Sequence, residues 1–228
     1  MNICIIPARG GSKRIPRKNI KNFCGKPIIS WSIEAALNCK CFSRVIVSTD
    51  DDEIAEISKR YGAEVPFKRS ESLSDDYTGT LAVIKNAINW LEENNEKVDF
   101  ICCLYPTAPF IEVNYLEEGF KKLIENNASY SISVTSFSYP IQRAFKLTKN
   151  ERLKMFFPEN MNKRSQDLEK SFHDAGQFYW GKRAAWLKEE GILDQNTVPI
   201  YIPRYKVQDI DNEEDWIQAE RIFNKLRF

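Results

Sequence analysis

Histidine is almost missing from this sequence: His173 is the only one in 228 residues. That scarcity leaves no histidine cluster for a structural zinc site, and no nucleophile is evident for which a lone histidine would serve as base. A surplus of either charge is also missing, because 33 Lys and Arg face 32 Asp and Glu for a net charge of +1. No global field therefore draws the chain to nucleic acid or to an acidic membrane, and any anion site has to be local. No apolar run approaches the about twenty residues that a bilayer span needs, and the apolar stretch in MNICIIPARGG is too short for a signal sequence. The expectation is a soluble, cytoplasmic protein with neither nucleic acid nor membrane among its partners. Six cysteines are present, but they are scattered through a chain too long to need disulfide staples. Cys4, Cys102 and Cys103 lie in apolar runs as small hydrophobes, and Cys39 and Cys41 have no second pair to complete a metal site.

What is present is a steady alternation of short apolar runs and helical periodicity, over a length that suits one domain, 1–228, with an insertion. Asn2 to Ile6 reads as a buried strand stopped by Pro7 and paired glycines. A helix over Pro27–Lys40 and the strand RVIVST follow, then a helix over Asp52–Tyr61 and an extended Ala63–Phe67. Thr80–Glu93 is helical with Ile84, Ala87, Ile88 and Leu91 on one face, Asp99–Leu104 a buried strand, Val113–Glu125 a helix, and SISVT a strand. Prolines and polar tracts then break the period between Ser138 and Phe172, which reads as an inserted arm. QFYWG is strand-like, Lys182–Glu189 helical, PIYIP extended, and Glu213–Leu226 a closing helix. Such alternation predicts an α/β fold, a mostly parallel sheet flanked by helices, whose ligands bind beyond the carboxyl ends of the strands.

The loop after the first strand, PARGGSKRIPRKN, packs Arg9, Lys13, Arg14, Arg17 and Lys18 around Gly10 and Gly11. Glycines let backbone amides approach a phosphate and the cations neutralise it, so this loop is a candidate triphosphate site rather than a solvated basic turn. It has neither the Walker spacing nor the dinucleotide fingerprint. Near the other end, VQDIDNEEDW places Asp209 and Asp211 two apart, on one side of an extended segment. Two hard oxygen ligands suit magnesium or another divalent cation, and an acidic cap for the closing helix is the competing reading. STDDDEI, RSESLSDDYTGT and LYPTAPF each fall where such a sheet places ligand loops, although each could be an ordinary polar turn. His173 reads as a packing or hydrogen-bonding residue, and the aromatics of FYWG as core on alternate positions, with those opposite free to border a ligand.

IIPARGGSKRIPRKNI, VIVSTDDDEIAEISKRYGAEV, LYPTAPF and DIDNEEDW, in that order, resemble the acylneuraminate cytidylyltransferase family across nearly the whole chain. The resemblance implies a Rossmann-like nucleotidyltransferase fold, a need for magnesium, CTP and a nine-carbon acidic sugar as substrates, and a homodimer formed through an arm at 138–172. By the same resemblance Arg9 and the Lys18-Asn19 pair meet the nucleotide phosphates, within a nucleotide-binding loop of Pro7, Ala8, Gly10, Gly11, Ser12 and Lys13. Arg69, Asp76 and Thr80 enclose cytosine and ribose, Asp209 and Asp211 hold metal, and Arg164 lies near the sugar or the partner subunit. The resemblance makes Arg9, Lys18, Asp209 and Asp211 the catalytic set.

The sialic acid enzymes of that family read QPTSPLR and RPNGAIY where this chain has YPTAPFI and HDAGQFY. These departures resemble the branch that uses pseudaminic acid, which has a second acylamino group at C7 and a deoxy C9. They imply a sugar site of Tyr105, Thr107, Arg164, His173, Asp174, Gln177 and Tyr179, with Tyr105 and Ile111 either supplying apolar wall or packing beneath the site. The implied reaction is transfer of CMP from CTP to the anomeric hydroxyl of pseudaminic acid, with a place in glycan biosynthesis such as flagellin glycosylation. A sialic or legionaminic acid enzyme, and a catalytically silent nucleotide-binding protein, remain the alternatives.

Overall fold

The computed structural model of the protein describes residues 1–188 and 191–227, so Glu189, at the end of the expected Lys182–Glu189 helix, lies outside the described residues. In chain order the elements are β1 (Asn2–Pro7), β2 (Asn22–Phe23), β3 (Lys26–Pro27), α1 (Ile28–Asn38), β4 (Arg44–Ser48), α2 (Asp52–Arg60), α3 (Thr80–Glu93) and β5 (Phe100–Leu104). They continue with α4 (Val113–Glu125), β6 (Tyr130–Ser136), β7 (Phe145–Leu147), β8 (Leu153–Met155), β9 (Phe172–Lys182), α5 (Arg183–Lys188), β10 (Thr197–Tyr201) and α6 (Glu213–Arg227). Among the described residues six strands form the central sheet in the order β10-β6-β9-β5-β1-β4. β9 alone runs antiparallel to its neighbours. The predicted mostly parallel α/β sheet is the observed one.

Alternation along each strand divides the core in two, because successive side chains leave opposite faces. Cys4 and Ile6 of β1 meet Ile29 and Ile33 of α1, Ile54 of α2 and Leu116 of α4 on one face. Ile3 and Ile5 meet Ile84, Ala87, Ile88 and Leu91 of α3 and Trp186 of α5 on the other. A third cluster joins Trp216, Ala219 and Phe223 of α6 to Ile15, Phe23 and Ile28. Through it the last helix closes over the loop that follows the first strand, a long-range contact that no local pattern announces.

Two local expectations change. The extended stretch near Ala63 makes only isolated bridges beside β4, Ile46 with Glu64 and Thr49 with Lys68, because Pro66 has no amide to donate to a continuous ladder. The sequence reading also had no β2–β3 hairpin. Its turn places Cys24 at φ 49 and Gly25 at φ 99, and cysteine is not a residue that ordinarily marks such a turn. The irregular 138–172 segment carries the β7–β8 ribbon, whose Phe145, Leu147 and Leu153 are exposed.

Candidate active site

The basic loop is held from beneath by the acidic run after β4. Ala8 N still donates to Ser48 O (2.9 Å), so the chain leaves the sheet only at Arg9. Gly10 N then donates to Asp50 Oδ1 (3.0 Å), and a Cβ at Gly10 would lie 2.7 Å from Asp51 Oδ2. Glycine is required there for close approach to a side chain. Asp51 caps α2 by accepting from Ile54 N (2.9 Å) and takes a second bond from Arg17 Nη2 (2.9 Å). The Arg17 hydrogen bond is the main cause that lowers the Asp51 carboxyl to about 2. Arg17 also reaches Glu53 at 2.6 Å, so this cation braces the loop. Asp50 and Asp51 of STDDDEI thus fix the loop's shape. Asn19 Nδ2 adds a bond to Arg9 O (2.9 Å).

Above the carboxyl ends of β1, β4 and β5 lies a cleft with two lobes. The first, about 300 Å³, is lined by Pro7, Arg9, Ser12, Lys13, Lys18 and Asn19 of the basic loop. Arg69, Asp76 and Thr80 close its far side. The second, about 940 Å³, is lined by His173, Asp174 and Tyr179 of β9 and by Asp209. Arg14, Lys18, Tyr105, Thr107 and Asp211 border both lobes and form their junction. The structure therefore brings most of the expected residues to one cleft. Ala8, Gly10 and Gly11 shape the loop without lining it. Gln177 is not a lining residue: it is buried, and its Nε2 donates to Lys206 O (2.7 Å). Arg164 lies out on the arm, paired with Asp167 at 2.7 Å. Ile111 packs in the core beside α4, so it supplies no wall to either lobe.

The cations of the first lobe already face carboxylates. Arg9 pairs with Asp76 at 2.8 Å, Lys13 pairs with the same carboxylate, and Arg14 meets Asp211 at 2.8 Å. Lys18 donates to Ile210 O and lies 3.7 Å from Asp211. Burial lowers the Lys18 ammonium, with Asp211 and Asp209 partly offsetting it. Burial also raises the Asp209 carboxyl, and Asp211 adds to that. Opposite charges that are both short of solvation favour a ligand carrying anion and cation together. Arg69, with 3 % of its side chain exposed, keeps one Nη2 buried without a hydrogen-bond partner, 3.6 Å from Asp50. Burial lowers its pKa as well.

The acidic-cap reading of Asp209 and Asp211 is decided by geometry. Asn212 Oδ1 accepts from Asp215 N (3.0 Å), while Asp215 Oδ2 accepts from Asp211 N (3.0 Å) and Asn212 N (3.1 Å). This reciprocal cap serves α6 and leaves the Asp209 and Asp211 carboxylates to the cleft. Among the described residues no three His, Cys, Asp or Glu side chains converge as a metal site. Two carboxylates still fit magnesium, which commonly completes its shell from phosphate oxygens and water.

β9 builds its part of the second lobe through an irregularity. Its register to β6 jumps from Tyr179 opposite Ile132 to Asp174 opposite Val134, with Gly176 at φ 62 in the gap. Ser133 Oγ takes the place of missing ladder acceptors, receiving Gln177 N (3.2 Å) and Phe178 N (3.1 Å). The break re-aims His173 and Asp174 towards the cleft. Several cleft residues had no sequence signal of their own. Asp75 and Thr78 sat unremarked within a segment quoted as a motif, and Asp215 read only as part of the acidic run.

Comparison with known proteins follows this geometry. The family model described as Cytidylyltransferase matches residues 3–204. The chain is 50% identical over 225 residues, 99% of its length and 97% of the other's, to a pseudaminic acid cytidylyltransferase of Campylobacter jejuni subsp. jejuni serotype O:2. It is 36% identical to N-acylneuraminate cytidylyltransferase B of Danio rerio, over 98% of this chain and 51% of that one. Its fold is similar to a CMP:2-keto-3-deoxy-manno-octonic acid synthetase solved with CTP, at a TM-score of 0.73 and 15% identity, covering 99% of both chains. With the family model spanning most of its length and a full-length relative at half identity, the chain belongs to the cytidylyltransferase family.

Proposed function

We propose that the protein transfers CMP from CTP to the anomeric C2 hydroxyl of pseudaminic acid, releasing pyrophosphate. The observation that carries this reading is the double cleft, whose cationic lobe and larger second lobe meet at Lys18 and Asp211. Two reactants that occupy adjoining lobes meet only at that junction, which converts a bimolecular encounter into a positioned one. The full-length half identity to a pseudaminic acid cytidylyltransferase supports the choice of sugar.

In this reaction Arg9, Lys13 and Lys18 hold the triphosphate and spread its charge as the α-phosphate is attacked. Arg9 and Lys13 exchange Asp76 for phosphate oxygens as CTP enters. Arg69, its buried guanidinium 3.6 Å from Asp50, adds a further positive charge at the far side of the lobe. Asp209 and Asp211 would hold magnesium or another divalent cation, which supplies neutralisation of phosphate charge and a lower pKa for the attacking hydroxyl. The test is a panel of nonulosonic acids with CTP, read by mass of the CMP product and by pyrophosphate release. Product from N-acetylneuraminic acid at equal or higher kcat/KM would overturn the sugar assignment.

We also infer a homodimer. Leu147 and Leu153 on the arm are 70% and 71% exposed, and Phe145, Phe156 and Met161 extend that apolar surface. A patch of this kind fits a protein partner, and a second copy related by a two-fold axis would cover both arms at once. The same pairing would bring Arg164 near a neighbouring cleft. A monomeric mass by light scattering, with full activity, would overturn it. A cytoplasmic site of action and a role in glycan biosynthesis such as flagellin glycosylation complete the proposal. Among the described residues no helix is long and apolar enough to cross a membrane.

A further inference from the structure

Two hydroxyl contacts flank the place where the lobes of the cleft meet. Thr80 Oγ1, in the first lobe, lies 3.2 Å from Tyr105 Oη. Tyr179 Oη donates to Asp174 Oδ2 in the second lobe, since a carboxylate accepts only and the one Tyr179 proton goes to it. The rings of Tyr105 and Tyr179 stand edge to face at 5.5 Å, which locks the two phenols in place. The other oxygen of Asp174 is held as well, since Oδ1 accepts from Gly176 N (2.8 Å) in the strand irregularity.

We propose that Asp174 is a specificity-determining residue of the second lobe, a fixed acceptor for an acylamino N–H of the sugar, and that Tyr179 is its positioning residue. A carboxylate has about four acceptor sites, and only two of those on Asp174 are used within the chain. The remainder belong to an exposed side chain that lines the lobe. An amide N–H can only donate, so a carboxylate that can only accept is its complement. This inference rests on the sugar acid reading of the second lobe.

The experiment measures kcat and KM for pseudaminic acid, N-acetylneuraminic acid and CTP with the wild-type protein, Asp174→Asn and Tyr179→Phe. Asparagine keeps the shape and the bond from Gly176 but turns an amide donor towards the lobe. Asp174→Asn is expected to raise the KM for pseudaminic acid about 10- to 100-fold, the range for a lost hydrogen bond to a charged group. The KM for N-acetylneuraminic acid rises less, so the preference between the sugars shrinks, and the KM for CTP stays unchanged. Tyr179→Phe reproduces that signature more weakly. An unchanged ratio between the sugars, or CTP and sugar KM rising together, would overturn the proposal. If Asp174→Asn fails to fold by thermal melting, the Tyr179→Phe ratio decides alone. A wild-type protein that uses N-acetylneuraminic acid and not pseudaminic acid overturns the functional reading itself, a failure visible before any variant is made.

Discussion

The two lobes of the cleft are built by opposite means. The first takes its cations from one contiguous loop, and each cation arrives already matched to a carboxylate: Arg9 and Lys13 to Asp76, Arg14 to Asp211, Arg17 to Asp51. The second is assembled from β9, the turn after β5 and the segment before α6, and its Asp174 carboxylate is fixed by the Tyr179 hydroxyl and the Gly176 amide. A polyphosphate can be met by charge with loose geometry, whereas one sugar is told from another by where single donors and acceptors stand. The first lobe is therefore suited to binding and charge stabilisation, and the second to selection.

The largest test of this contrast falls at the junction. Asp211→Asn removes one carboxylate charge from the proposed metal pair with little change of size, and turnover is expected to fall about 100-fold or more, as for loss of a key transition-state electrostatic group. Asp209→Asn should be equal or milder. Normal pyrophosphate release by Asp211→Asn at limiting magnesium would break the assignment. Next come Arg9→Ala and Lys18→Ala, expected to lower kcat by about 10- to 100-fold while sparing sugar affinity, since the phosphoryl charge they meet shifts in the transition state. A rise confined to the sugar KM would move either residue to the other lobe.

Asp51→Asn tests the bracing of the first lobe through stability. The folded carboxyl sits at about 2, below its ordinary value of 3.8, mainly because of Arg17. A depressed carboxyl contributes stability that is fully present above the unfolded value and is lost as pH falls from about 4 towards 2. The variant should lose about 1–2 kcal/mol at neutral pH by denaturant melts, and this difference from wild type should vanish near pH 2. A difference that persists there would assign the loss to helix capping rather than to the ion pair. The smallest effect is expected at Ile111→Val, about 0.5–1.5 kcal/mol of stability from a lost buried methylene, with no change in the ratio between sugars. A shifted ratio would return Ile111 to the wall of the second lobe.

Legibility in the sequence followed the same division. Arg9, Lys13 and Lys18 could be assigned from one loop because strand end, glycines and cations are neighbours in the chain. Asp209 and Asp211 could be named but not separated from a helix cap, since the deciding bonds belong to Asn212 and Asp215 and are matters of backbone geometry. Gln177 read as a site residue through the resemblance and proved to be buried, because the irregularity in β9 decides which of its side chains face the cleft. Ile111 stood between wall and packing, and its burial beside α4 decides for packing. Tyr105 read as apolar surface, while its hydroxyl stands 3.2 Å from that of Thr80.

By itself the sequence determined the α/β class, the near-continuous apolar strands and the amphipathic helices, because burial periodicity is a local property of the chain. It determined the basic loop for the same reason. Only the tertiary structure decided which charges are spent on one another, which strand runs antiparallel, and how Thr80 comes to meet Tyr105 and Tyr179 to meet Asp174. Hydrogen bonds between residues far apart in sequence depend on register and on directions set to within a few tenths of an ångström, and no pattern along the chain records either.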